Sequence, residues 1–170
     1  MADIQNLQLG HANITLGGVD LGLTRGGVEI AVTNNILDRV VDQYGESPVG
    51  AVNLGTRVEI TVNVAEITAE NISKLMNGAT LEAGATIDEV NIGAEYTGAD
   101  VNTAEMVITP VADSGDGSKV WTFYKVALIS PPTVSLVNDT ETTLQATFLV
   151  ITDTSKPTGE EMGRLGTADA

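Results

Sequence analysis

Apolar and polar residues alternate with a period of two through much of this chain, the signature of β-strands buried on one face only. In RVEITVNVAE, residues 57–66, Val58, Ile60, Val62 and Val64 fall on one side and Arg57, Glu59, Thr61 and Asn63 on the other. GVEIAVTN sets Val28, Ile30 and Val32 against Glu29, Ala31 and Thr33. TLQATFLVIT sets Leu144, Ala146, Phe148 and Val150 against Gln145, Thr147 and Leu149. Further strands are predicted at 12–16, 36–41, 104–112, 119–130 and 133–137. GGVDLG (17–22) and SGDGS (114–118) carry the Gly and Asp that tight turns favour, and the second is expected to close a hairpin.

Two segments break the alternation. TAENISKLMNGAT, residues 68–80, offers Thr68 as N-cap and Glu70 in the first turn, with Ile72, Leu75 and Met76 at helical spacing and Gly78 at the stop. This predicts one short amphipathic helix against a sheet. Between the strands 36–41 and 57–66, residues Gln43 to Gly55 read as a polar insertion punctuated by Gly and Pro, much longer than a turn requires. Within it Pro48 fixes φ, Gly45 and Gly50 permit bends, and Tyr44 supplies one amphipathic anchor. After about residue 152 the polar, Gly-rich sequence predicts a flexible extension over 152–170.

Composition agrees with a mainly β fold. The 170 residues suit a single domain, 1–170, with a core of its own. Only two Phe, three Tyr and one Trp are present, so that core is built from Val, Ile, Leu and Ala. The net charge of −15 comes with eight scattered Lys and Arg, which argues against binding nucleic acid through phosphate contacts. With no Cys, neither a disulfide nor a thiolate metal site is available. The sequence predicts no leader and no membrane span.

Sites of chemistry are sparse. His11 is the one histidine and has no Cys to pair with. DSGDGS at 113–118 resembles the start of a calcium loop, but the twelfth position, where a bidentate Glu belongs, holds Tyr124, so the turn reading is preferred. The neighbours Asp88 and Glu89, and Glu160 and Glu161, lack the partners of a general acid and base. Nucleophile-elbow and phosphate-loop motifs are absent. The chain is therefore expected not to be an enzyme and to need no cofactor or metal.

LGGVDLGLTRGGVEIAV, a strand, DQYGESPVGAVNLGTRVEITVNVAEIT and then ENISKLMNG form an ordered series. It resembles the N-terminal half of bacteriophage tail tube proteins, the major tail proteins of long-tailed phages. In these an early G-V-D-L-G-x-T-x-G-G-V is followed by a Tyr-Gly-x-Ser/Thr-Pro loop and an alternating strand. The likeness is close over residues 14–80 and holds by strand pattern over 104–151; residues 81–103 and the C-terminal extension lie outside it.

The resemblance implies a β-sandwich or barrel-like subunit with one flanking short helix. Six copies would form a ring whose sheets join into a continuous inner β-barrel, and stacked rings would make the tail tube through which DNA passes into the host. Tyr44, Gly45, Glu46, Ser47, Pro48 and Val49 would then form an inter-subunit loop. Glu29, Glu59, Thr61 and Asn63 are the candidates to face the lumen, where like charge lets DNA slide. Implied partners are further copies of the chain, a tape-measure protein, and tail terminator or distal tail proteins. The implied location is the virion tail, after synthesis in the host bacterial cytoplasm. The tube of a contractile injection or type VI secretion apparatus is the nearest alternative, and a lectin- or adhesin-like β-sandwich binding module a more distant one.

Overall fold

The structure, a computed structural model, describes residues 11–76, 78–84, 87–93, 102–111, 117–134 and 142–166. The chain is mainly β and antiparallel. In order it forms β1 (Ala12–Leu16), β2 (Val19–Asp20), β3 (Thr24–Val40), β4 (Pro48–Val64), α1 (Ala69–Leu75), β5 (Ala79–Glu82) and β6 (Glu89–Ile92). There follow β7 (Thr103–Pro110), β8 (Trp121–Ser130), β9 (Leu144–Val150) and β10 (Gly163–Leu165). Eight strands make one sheet in the order β2-β1-β7-β8-β9-β4-β3, with β10 attached to β8, while β5 and β6 form a separate pair.

Alternation places the core where the sequence predicts it in β4 and β9, but in β3 Val28 and Ile30 are only half-buried and Val32 is exposed, because that strand runs out beyond the body. Val58, Ile60, Val62 and Val64 of β4 and Leu144, Ala146, Phe148 and Val150 of β9 are all buried. They join Ile14 and Leu16 of β1, the inward residues of β7 and β8, and Leu75 of α1 in a single cluster. The sheet is not closed into a barrel. One end strand, β2, is two residues long, too short to offer a ladder to the 17-residue β3 at the other end.

The region from Gln43 to Gly55 differs from expectation. Most of it is strand: the separate strand expected at 36–41 is the far half of β3, and β4 begins at Pro48. Pairing runs from Thr24↔Val64 out to Val40↔Pro48, which leaves only residues 41–47 as the connection. Gly, Pro and Asn between 48 and 55 are weak strand formers, but the opposite strand supplies hydrogen-bond partners along their whole length. β4 absorbs the mismatch in bulges, since Asn35 opposes Gly55 while Ile36 opposes Asn53, leaving Leu54 as the extra residue.

Three other expectations meet the structure differently. The strand expected at 133–137 is absent over 133–134, and residues 135–137 lie outside the described ones; Pro131 and Pro132 just before remove two ladder donors. Most of the turn at 114–118 also lies outside the described residues, although β7 and β8 are antiparallel neighbours. The helix is shorter than 68–80, because β5 starts at Ala79.

Thr68 caps α1 as expected, its hydroxyl accepting the Asn71 N–H at 3.1 Å. The periodicity gave no reason to single out Asn71. It is buried, and its side-chain amide donates to the Leu21 carbonyl at 3.0 Å and the Glu66 carbonyl at 2.9 Å. One side chain thereby ties α1 to the segments leaving β2 and β4.

The segment after residue 152 is not a loose tail over 153–166. Asp153 is buried, and its Oδ1 accepts from Lys125 Nζ at 2.9 Å and from the Ser155 hydroxyl at 2.8 Å and N–H at 3.1 Å. The chain then runs back as β10, pairing Gly163 with Phe123 and Leu165 with Trp121. A Cβ on Gly163 would lie 2.5 Å from the Thr122 carbonyl oxygen, so this close approach requires glycine.

The hydrogen bond from Lys125, and those from Ser155, hold the Asp153 carboxyl down from 3.8 to about 2. Because its folded-state pKa is depressed, ionised Asp153 stabilises the fold above about pH 3.8, and that contribution is lost as the pH falls toward 2. Asp153→Asn is therefore expected to melt at a lower temperature than the parent near neutral pH, with the gap narrowing between pH 3.8 and 2 in thermal melts. A gap that stays constant across that window would remove ionisation of the Asp153 carboxyl as its cause.

Candidate assembly surfaces

Beyond the core the β3–β4 hairpin continues as an arm. From Ala31 to Arg57 every residue is exposed apart from half-buried Val52. β9 pairs with β4 from Glu59 to Val64, and past that point the two arm strands have, among the described residues, only each other. A two-stranded ribbon is marginal in water, and this one is held in register by its continuity with the packed half of the same strands.

The arm is also apolar. Val32, Ile36 and Val40 fall on one face of β3 and Leu37 on the other, opposite Val52 of β4. Val32, Ile36, Leu37, Val40, Val49 and Leu54 are each more than half exposed. Grouped apolar exposure of this kind, on both faces of one ribbon, is uncommon on a protein surface and makes the arm a candidate interaction surface.

The predicted loop residues sit together at the arm's end. Asp42–Tyr44 form a turn of 3-10 helix, with the Tyr44 N–H donating to the Val41 carbonyl at 3.0 Å. Gly45 turns the chain with φ +64°, and the Ser47 N–H donates back to the Tyr44 carbonyl at 3.3 Å. Pro48 and Val49 open β4. Tyr44 is 69% exposed, and Glu46 is exposed beside it.

Two long stretches of backbone edge accompany the arm. Among the described residues no strand pairs with the outer side of β3 between Val28 and Val40, nor with the second side of β4 between Pro48 and Val58. Such edges are templates for strand addition.

Glu29, Glu59, Thr61 and Asn63 share the face of the sheet opposite the core. Thr61 sits between Glu29 on β3 and Thr147 on β9, Glu59 between Ala31 and Leu149, and Asn63 opposite Gln145. Alternation makes this grouping legible in the sequence. It does not reveal the ion pair from Arg57 to Glu59 at 2.7 Å, which offsets one of the two carboxylates on that face. Exposed as it is, the pair adds little to stability.

Where β10 approaches the foot of the arm, an apolar groove of about 180 Å³ opens. Val32 and Val58 form one wall, and Trp121, Phe123, Met162 and Leu165 the other. The Trp121 and Phe123 rings stack at 6.1 Å between centroids. Local patterning could not show this groove, because its walls come from four separated parts of the chain.

The remaining chemical candidates are not drawn together. His11 is exposed at the start of β1, and its carbonyl accepts the Val111 N–H at 3.0 Å. Asp88 borders an acidic cleft with Asp20, Glu66 and Glu70 beside α1, while Glu89 lies exposed on β6. The Glu161 carboxylate accepts the Gly159 N–H at 2.7 Å, and Glu160 is exposed. Asp113 lies outside the described residues. Among the described residues no group of His, Asp and Glu could hold a metal ion, and no helix is long and apolar enough to cross a membrane. No family model and no curated protein matches the chain.

Arm and body are expected to differ sharply in what they contribute to folding. Ile36→Ser, on the exposed arm, should shift the unfolding free energy by no more than about 0.5 kcal/mol. Ile60→Ala, in the same hairpin but fully buried, should cost about 2–5 kcal/mol in urea denaturation. Similar losses at both positions would mean that the arm packs on its own body.

Proposed function

We propose that this chain is the building block of a tube: copies join edge to edge into rings, and the rings stack into a phage tail tube that conducts DNA into the host. The observation that carries the reading is the arm, a long β-hairpin with apolar side chains on both faces and strand edges with no partner among the described residues. For an isolated subunit such a ribbon is an aggregation liability. In an assembly it is an interface. The ordered motifs at residues 14–80, which resemble those of tail tube proteins, support ring formation by six copies and location in the virion tail. They also support tape-measure and tail-end proteins as further partners.

The face bearing Glu29, Glu59, Thr61 and Asn63 suits a wall along which DNA slides. With Arg57 offsetting Glu59, the wall presents Glu29 among hydroxyls and amides, including Gln145 and Thr147 of β9. Such a surface is hydrated and offers phosphate little to hold. Because the Debye length is about 8 Å at physiological salt, charge on the lining acts on DNA and charge on the outside does not.

Purified chain is expected to form rings or tubes in negative-stain micrographs. Deleting residues 43–50 leaves Asp38 and Ala51 paired across the four residues 39–42, a length that hairpin loops accept. The shortened chain should melt like the parent and remain monomeric. Normal tubes from it would remove the arm's end from the assembly mechanism, and a parent that stays monomeric at high concentration would count against the tube itself.

A further inference from the structure

We infer that the groove at the foot of the arm is the socket for the arm's end from a second copy of the chain, a contact that rests on the tube reading above and assigns its two sides. The groove's volume of about 180 Å³ lies below the range of about 300–1,000 Å³ usual for small-molecule pockets, and suits an anchoring side chain or two. Its walls are apolar, and one of them carries the stacked rings of Trp121 and Phe123. The arm's end carries the complementary set in Tyr44, Val40 and Val49, all exposed.

Charge agrees in sign. Exposed Arg164 of β10 is among the residues lining the groove, its side chain rooted on the face away from Leu165 because it lies opposite Thr122, and the arm's end carries the exposed carboxylates of Asp42 and Glu46. Backbone agrees as well. Among the described residues, the side of β4 beside the groove has no second strand there and β10 on the far wall pairs with β8 alone, so an entering strand finds ladder groups on both walls.

The arm cannot fill its own groove. Val32 lines the groove and Val40 ends the strand, and eight residues of paired strand separate them by about 27 Å. The occupant is therefore another copy. Because arm and groove are different patches, the contact is head-to-tail, which generates a ring when the rotation closes and a helix when it does not.

The parent has no cysteine, so an engineered pair reports this contact cleanly. The double variant Tyr44→Cys, Leu165→Cys is expected to form a ladder of disulfide-linked dimers, trimers and larger species under mild oxidation. Each single variant should stop at dimers. In parallel, Glu46→Arg or Arg164→Glu alone should raise the concentration at which assembly begins by about tenfold, and the two together should restore it. Tubes that form without a ladder overturn the groove assignment and leave the tube reading standing. Where the cysteines themselves block assembly, the charge swap decides: rescue supports the socket, and no rescue overturns it. A parent that never assembles overturns both readings.

Discussion

The antiparallel ladder between β3 and β4 is the constraint on which the rest depends. Its inner half, from Val58 to Val64, places an alternating apolar row into the core, and β9 pairs with the other side of that row. Its outer half carries the same hydrogen-bond pattern beyond the body, where nothing in the described chain covers it. A single register therefore sets both the packed interior and the exposed arm. A slip of one residue would turn Val58, Ile60, Val62 and Val64 toward solvent and exchange the arm's two faces.

Two devices tie the ends of the body to this ladder. Asn71 spends its buried amide on the carbonyls of Leu21 and Glu66, fixing α1 against the chain as it leaves β2 and β4. Asp153 holds Lys125 of β8 and turns the chain so that β10 lies along β8 where β9 has ended. Both use a polar group taken out of water with its hydrogen bonds satisfied, which is specific in geometry because an unsatisfied alternative is costly. By filling the line beyond β9, β10 also forms the far wall of the groove at the foot of the arm.

The acidic residues of the described chain are divided. Asp20, Glu66, Glu70 and Asp88 gather beside α1, while the polar face of β3, β4 and β9 carries Glu29 and an Arg57-compensated Glu59. The negative charge is thus not confined to one face of the described residues. Its effect on a polyanion depends on which face that polyanion meets.

The sequence by itself determined the mainly β character, the inward faces of β4 and β9, the start of α1 at Thr68, and the common face of Glu29, Glu59, Thr61 and Asn63. Each of these follows from alternation or capping within a few residues. It also marked a distinct connection, but over Gln43 to Gly55, where pairing leaves only residues 41–47 outside the strands. Only the tertiary structure decided that Gly50, Asn53 and Gly55 belong to a strand, that residues 153–166 strap onto β8, and that Val32 and Val58 face Trp121 and Leu165 across a groove. The reason is physical: local periodicity records which way a side chain points. The partner strand that supplies hydrogen bonds to a weak strand former lies far along the chain, and so does the lysine that holds Asp153.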